Sequence, residues 1–472
     1  MNHFVALAAG LLLSASDHPL HLWPLQFVAL LPFWWALARQ RAAGHSTWTI
    51  GLCFGAAYSA AVVAAAGLAL PVVAAGLASI VQWTVGASLA ARGLDRGPVI
   101  GPLAAAAVLT LLELLTWNAI PLFGTAQAFV RPLSAAPMLV AFVAFTGVAG
   151  LVFVVAAVQA LVVSALRGPS RGRPLAVAAV ILAIVAGLDV VRWQRPLGPI
   201  VRVATFGWGE STPLSPDGKA FVHRAATAAA AEKCTLLVTP ETGMHVRSRD
   251  NATKVFGELA TTHRLQLAFG VWHAPTDDNR IWFVAPDGQL VGEYRKSHLV
   301  PWLEDYTKGD GVPVIVPFGD LRLGGMICQD DNFTDIARAH GRDGVPLLAV
   351  PTNDWPAIRE FHLENAIFRC IENGYAVARA ASGGVSAIVS ARGEVVARDD
   401  HVSERLDARP DANVRTNTMP DDSPGVRLVC ADVTTGDGEP TIYARFGDLP
   451  MLVLGVILVV LSLRRPRITS AA

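Results

Sequence analysis

Charge is what this chain most lacks. Only 16% of its 472 residues are charged against 53% hydrophobic, and the mean hydropathy of +0.43 is well above that of a soluble chain of this size. Much of the chain therefore belongs in lipid. The 38 basic and 38 acidic residues cancel, so no net field draws in nucleic acid and every charge argument has to be local. Cysteine is sparse too. Cys53, Cys234, Cys328, Cys370 and Cys430 show no paired spacing, no CxxC and no metal-ligand pattern with the histidines. A disulfide framework is not expected in a polar region of roughly 245 residues, which can build its own core. HExxH, phosphate-loop and dinucleotide fingerprints are absent from the sequence, so neither a metal nor a cofactor is expected.

The charge that exists is placed unevenly. Residues 1–195 are nearly all Ala, Val, Leu, Gly and aromatics, whereas 200–445 carry most of the Asp, Glu, Lys and Arg. Runs near the roughly 20 residues that cross a bilayer predict spans at 3–15, 22–38, 47–69, 71–91, 99–117, 136–166, 174–190 and 449–463. The first has neither a basic start nor a clear small-residue cleavage site, so it reads as a retained helix rather than a signal peptide. With eight spans, Arg39, Arg41, Arg92, Arg96, Arg167, Arg171, Arg173, Arg464, Arg465 and Arg467 share one side, the cytoplasmic one by the positive-inside rule. Arg131, Arg192 and Arg195 are the exceptions. The expected organisation is a membrane domain over 1–195 with about seven transmembrane helices, an extracytoplasmic catalytic domain over 200–445, and a C-terminal transmembrane helix at 449–463.

From Val201 short apolar runs alternate with helical stretches: VRVATFG, HRAATAAAAEK, TLLVTPE, KVFGELATTHR, LQLAFGVW. That rhythm predicts an α/β domain. IWFVAPDGQLVGEYRK carries a PDG turn between two strands. Three reactive side chains follow apolar runs, where a loop exposes a group on a rigid frame. Glu241 ends LLVTPE, where poor solvation would raise its pKa toward that of a working base; alone it also reads as a helix-start or surface acid. Lys296 in YRKSHLVPWLE could stabilise an oxyanion or tune a thiol; alone it also reads as a solvated lysine. Cys328 in GGMICQDD could be a nucleophile. A free cysteine in an apolar strand is also a common core residue, and that reading suits Cys234, Cys370 and Cys430, each placed on an apparent strand or helix face. The order Glu, Lys, Cys favours the reactive reading for all three together.

At these residues the chain resembles the nitrilase, or carbon-nitrogen hydrolase, superfamily, and more narrowly the bacterial apolipoprotein N-acyltransferases. The stretches that carry the likeness are SASDHPLHLWPLQFVALLPFWWAL, LLELLTWNAIPLFG and FTGVAGLVFVVAAVQAL in the apolar part. In the polar part they are the PE at 240–241, YRKSHLVPWLE, ICQD, NDW, HLENAIFRCIENG and TIYARFGDLP. The resemblance implies a multi-span α-helical membrane domain plus a nitrilase-like αββα four-layer sandwich, in a monomer at the bacterial inner membrane with its catalytic face periplasmic or extracellular. It implies that Cys328 takes an acyl chain from a phospholipid as a thioester and passes it to the N-terminal amine of a diacylglyceryl-cysteine lipoprotein. Glu241 is then the base, Lys296 with the backbone N–H of Gln329 the oxyanion site, and Glu304 the group that orients Lys296 or the acceptor amine. Trp302 and Trp355 are candidates to line the acyl entrance, or equally membrane-interface anchors or core aromatics.

Gln329 and Asp330 stand where the acyltransferases usually carry an aromatic and a glutamate, and the step of 32 positions from Lys296 to Cys328 is shorter than usual. These features keep a second reading open: a membrane-tethered acyltransferase or amidase of the same superfamily acting on another amine or amide. A non-catalytic membrane protein is the third class. It would be expected to carry ionisable residues inside its spans, for which only Glu113 and Asp189 qualify.

Overall fold

The computed structural model describes residues 1–120, 122–168, 171–209, 218–410, 412–418 and 427–464. The chain divides into two compact units, one of Met1–Gln194 with Phe446–Ala472 and one of Arg195–Arg445.

The first unit is helical: α1 Asn2–Ser14, α2 Leu30–Ala42, α3 Trp48–Ala66, α4 Leu70–Leu94, α5 Ile100–Ala119, α6 Val143–Arg167 and α7 Gly172–Gln194, with a further helix at Leu449–Leu463. Among the described residues five of these, α3 to α7, are long and apolar enough to cross a membrane, while Asn2–Ser14 and Leu449–Leu463 are shorter apolar helices. Leu182, Ile184, Val190 and Val191 of α7 point outward. A helix that is apolar on its exposed side requires a lipid phase there.

Two expected spans are interrupted. The run at 22–38 opens as a 3-10 turn, Trp23–Phe27, with Pro24 at its start, and only then enters α2. The run at 136–166 begins with 3-10 turns at Arg131–Ala135 and Pro137–Leu139, and α6 bends at Gly147, whose φ of 67° is outside helical space. Arg131 is buried and ion-paired with Asp17, which offsets the cost of burying its charge. Glu113 is buried, and Asp189 accepts the Phe142 N–H at 2.6 Å. Arg465 and Arg467 of the orientation argument lie outside the described residues.

The second unit runs β1 Ile200–Gly207, α8 Gly218–Ala231, β2 Leu236–Val238, β3 Met244–Val246, α9 Arg249–His263, β4 Gln266–His273, β5 Asp278–Val284, β6 Leu290–Arg295, β7 Ile315–Phe318, β8 Leu321–Gly325, α10 Thr334–Arg342, β9 Leu347–Asn353, α11 Arg359–Asn373, β10 Ala376–Ser382, β11 Val385–Val389, β12 Val395–Asp400, β13 Arg405–Ala408, β14 Val414–Thr418 and β15 Arg427–Thr434. One sheet has the order β14-β15-β1-β2-β4-β5-β6 with β3 also on β4, and the other the order β13-β12-β11-β10-β9-β8-β7. The sheets face each other through β1 against β10 and β11; α8 and α9 cover the first and α11 the second. This is the nitrilase-like αββα arrangement.

The pattern of the sequence explains it. β2, β4, β9 and β10 are almost wholly buried, as is β1 from Val203 onward, because each has a helix layer on one face and the other sheet on the other. The PDG turn joins β5 to β6 as an antiparallel pair, with Gly288 N–H donating to Ala285 O at 2.8 Å.

Candidate active site

Three loops, those that leave β2, β6 and β8, meet here. Glu241 follows β2, and its N–H donates to Thr352 O of β9 at 3.4 Å, tying the first sheet to the second. This loop lies so close to β4 that a Cβ at Gly270 would stand 2.0 Å from Pro240 O. Only glycine permits that approach. Lys296 follows β6, held on both sides by Lys296 N–H to Asn279 O at 2.9 Å and Gly309 N–H to Lys296 O at 2.8 Å. Cys328 follows β8. Its φ is +44°, and Thr242, next to Glu241, is also left-handed, a backbone conformation that non-glycine residues rarely adopt.

Lys296 Nζ donates to Glu241 Oε1 at 2.7 Å and to Glu304 Oε1 at 2.6 Å. Asn279 Nδ2 donates to the same Glu241 oxygen at 2.6 Å, and the Val300 N–H to Glu304 Oε2 at 2.8 Å. Glu241 Oε2 is buried and meets no described donor in hydrogen-bond geometry, while the Cys328 thiol is near enough to favour the charged carboxylate. The Cys328 Sγ lies 3.6 Å from Asn353 O.

The electrostatics follow from burial. Lys296 is 0% and Glu241 3% exposed. Burial raises the Glu241 carboxyl above its ordinary range, against the pull of the Lys296 charge. Burial opposes the Lys296 ammonium, yet Glu241, Cys328 and Glu304 outweigh it and hold the ammonium well above its ordinary value. The Cys328 thiol is pushed well up by burial and by the Glu241 charge, with Lys296 acting the other way. Such a thiol stays protonated at rest, so a neighbouring base has to take its proton as it attacks.

Of the residues singled out from sequence, Glu241, Lys296, Glu304 and Cys328 come together. Gln329 is buried in the short 3-10 turn that starts at Cys328, and its side chain accepts from Asn332 Nδ2 at 2.7 Å. Trp302 is 63% exposed on the segment between β6 and β7, and Trp355 is half-buried two residues beyond Asn353.

The sequence reading missed the groups that hold this arrangement. Asp330 accepts from Tyr294 Oη (2.8 Å), Ser297 N (3.2 Å), His298 N (2.8 Å) and Ile327 N (3.1 Å), joining the Lys296 segment to the Cys328 turn. Asp354 pairs with Arg379 Nη2 at 2.9 Å and His362 Nδ1 at 2.6 Å, and His362 Nε2 faces Asp331 Oδ1 at 2.8 Å and Cys328 O at 3.2 Å. An aspartate two places after Cys328 was the available signal for Asp330. Apart from the Asp354–His362 contact, eight positions apart, the Asp354 network joins residues 25 to 34 positions apart and leaves no local pattern. Cys328, Asp354 and His362 offer ligand atoms within 4.8 Å of one another, but both His362 nitrogens face carboxylates and Asp354 holds Arg379, so the donors are already committed to ion pairs.

Asp330→Ala is expected to lower stability by at least about 3 kcal/mol, since several buried donors lose their acceptor at once, while Asp330→Asn keeps part of the acceptor set and loses less. Thermal unfolding of the detergent-solubilised protein measures both. An alanine variant as stable as the parent would contradict the role given to these bonds.

Residues 202–409 match the carbon-nitrogen hydrolase family model and residues 9–161 the apolipoprotein N-acyltransferase N-terminal domain. The apolipoprotein N-acyltransferase of Rickettsia bellii is 25% identical over 227 residues, 43% of this chain and 40% of that protein. That of Sinorhizobium medicae is 32% identical over 144 residues, 25% of this chain and 27% of that protein. The aligned part thus spans well under half the length of these relatives. An amidase from Nesterenkonia sp. has 20% identity and a TM-score of 0.40, covering 53% of this chain and 94% of its own. With a match to the N-terminal domain of apolipoprotein N-acyltransferases followed by a carbon-nitrogen hydrolase domain in one chain, this bacterial membrane protein belongs to the apolipoprotein N-acyltransferase family of the nitrilase superfamily.

Proposed function

We propose that the chain transfers an acyl group from a phospholipid to the N-terminal amine of a diacylglyceryl-cysteine lipoprotein, with residues 200–445 on the outer side of the cytoplasmic membrane. The observation that carries the reading is the buried Lys296 held between Glu241 and Glu304 beside the left-handed Cys328. Glu241 takes the Cys328 proton as sulfur attacks the ester carbonyl. The tetrahedral oxyanion rests on Lys296 and the backbone N–H of Gln329. Collapse breaks the ester C–O bond, the lysophospholipid leaves with the proton from Glu241, and a thioester remains. The acceptor amine then attacks the thioester, Glu241 accepts its proton, and an amide and free thiol result. Exclusion of water favours the amine over hydrolysis. Glu304 keeps the ammonium aimed at the reacting carbonyl, and Trp302 and Trp355 flank the acyl entrance.

The Gln329-Asp330 pair favours the second reading, a different amine or amide. Purified protein incubated with phospholipid and a diacylglyceryl peptide separates the two. A triacylated peptide is expected; lysophospholipid without peptide acylation would favour the alternative. Cys328→Ser is expected to abolish acyl-enzyme formation and lipoprotein N-acylation together, read by mass spectrometry of both. N-acylation in cells that persists while the acyl-enzyme is lost would sink the mechanism.

A further inference from the structure

The turn that carries Cys328 rests on α11 through one buried imidazole. Nε2 of His362 faces Cys328 O at 3.2 Å and Asp331 Oδ1 at 2.8 Å, and Nδ1 faces Asp354 Oδ1 at 2.6 Å. All three side chains are buried. A ring nitrogen has to carry a proton to satisfy a carboxylate, so with one on each side His362 is an imidazolium. Burial opposes that charge, but Asp331 and Asp354 outweigh it and raise the pKa to about 9. Arg379 closes the row, with Nη2 donating to Asp354 Oδ2 at 2.9 Å and Nη1 to Val385 O at 2.8 Å. The ring is thus fixed from both sides, and its Nε2–H is shared between Asp331 and the Cys328 carbonyl.

The Cys328 carbonyl and the Gln329 N–H belong to one peptide unit. That unit is trans and planar, so the two groups point in opposite directions. Holding the carbonyl oxygen on His362 therefore sets where the Gln329 N–H points. Cys328 needs such a hold, because its φ of 44° is a conformation that persists only where the surroundings enforce it. A positive charge at the carbonyl oxygen also polarises the peptide and strengthens its N–H as a donor. We propose that His362 is a positioning residue for the oxyanion site: it holds and polarises the Cys328–Gln329 peptide, so that the Gln329 N–H meets the oxyanion formed as the Cys328 sulfur adds to the acyl carbonyl. This role presupposes the acyl-transfer reading given above. Asn365 of α11 grips the same turn further on, Nδ2 donating to Asp331 O at 2.6 Å and to Asn332 Oδ1 at 3.1 Å.

The test acylates Cys328 of the purified full chain with a p-nitrophenyl ester carrying carbon-13 at its carbonyl, a donor that needs no phospholipid site. Sulfur displaces p-nitrophenolate, whose release gives the rate, and infrared difference spectroscopy reads the thioester carbonyl. His362→Gln is expected to slow acylation by roughly 100-fold, the loss for one oxyanion donor, with half-saturation unchanged because the ground-state ester does not use that donor. Its thioester band is expected at higher frequency than the parent's, since a carbonyl that accepts a weaker hydrogen bond is stiffer. Asn365→Ala is expected to lower the melting temperature and leave the band in place. A folded His362→Gln chain with the parent's rate and band, or a band that moves equally in both variants, overturns the proposal.

If His362→Gln does not fold, the parent chain decides. Of the five cysteines only Cys328 is followed by glutamine, so carbon-13 carbonyl cysteine combined with nitrogen-15 glutamine marks this one peptide. With nitrogen-15 histidine added, solid-state NMR is expected to show dipolar coupling between that carbonyl carbon and an imidazole nitrogen, and a downfield move of the Gln329 amide proton on acylation. A missing coupling or an unmoved amide overturns the proposal. A parent chain acylated by the nitrophenyl ester but not by phospholipid counts against the proposed donor alone, whereas one acylated by neither overturns both readings.

Discussion

Replacing Lys296 with methionine is expected to abolish acyl transfer and to cost about 3 to 5 kcal/mol of stability, the range for leaving buried charge uncompensated. Lys296 is wholly buried, and its ammonium sits 2.7 Å from Glu241 and 2.6 Å from Glu304. Methionine fills most of the volume but leaves two carboxylates facing each other with no cation between them. One of them then binds a proton at neutral pH. If that is Glu241, its function as a base is lost even in the molecules that fold. Thermal unfolding and acyl-enzyme formation, followed from pH 6 to 9, test both parts. A Glu304→Gln change in the same background is expected to recover part of the stability without restoring activity, because it removes one of the facing charges. Unchanged stability in the methionine variant would show that water or backbone, rather than Lys296, neutralises the pair.

Raising the pH from about 6.5 through 9 is expected to destabilise the α/β unit by several kcal/mol. Burial opposes the charged form of His362, but Asp331 and Asp354 outweigh it and raise its pKa to about 9; Asp330 and Asp335 do the same for His298, again to about 9. Both folded values lie above the unfolded value near 6.5. The stability they contribute is therefore complete below 6.5 and is lost as pH rises through 9. A shift of this size corresponds to about 3 kcal/mol for the fully buried His362. His340 works in the opposite sense. Burial lowers it to about 4, so it stays neutral in the fold, and its contribution falls away as pH drops from 6.5 toward 4. Asp354, held low by Arg379 and His362 against its burial, likewise favours the fold only above the ordinary carboxylate range. Denaturation midpoints at pH 5, 6.5 and 9.5 should peak at the middle value. His362→Gln should flatten the alkaline limb, and a limb of undiminished slope in that variant would assign it elsewhere.

How much of this was legible beforehand depended on where the information lies. Glu241, Lys296 and Cys328 could be picked out because each follows an apolar run that ends abruptly in polar residues, a local signal of a strand opening into a loop. Glu304 and Gln329 came only with the resemblance. Asn279, which shares Glu241 Oε1 with Lys296, sits in a strand that reads as an ordinary half of a hairpin. His362 and Arg379 look like polar residues of a helix and a strand until folding places Asp354 between them. The interrupted runs at 22–38 and 136–166 show the same limit from the other side. Hydropathy averages over a window, and a proline or a left-handed glycine inside it breaks the helix without changing the mean.

What the sequence determined by itself was the division of the chain and the chemistry it carries. Low charge and long apolar runs require lipid for the first part, alternating apolar runs require a layered α/β core for the second, and only a few side chains combine reactivity with a strand-end position. Only the tertiary structure decided which of those side chains share a site and how Lys296 is divided between two carboxylates. Those facts depend on contacts between residues tens to hundreds of positions apart. Such contacts are set by sheet register and layer packing, which local composition does not encode.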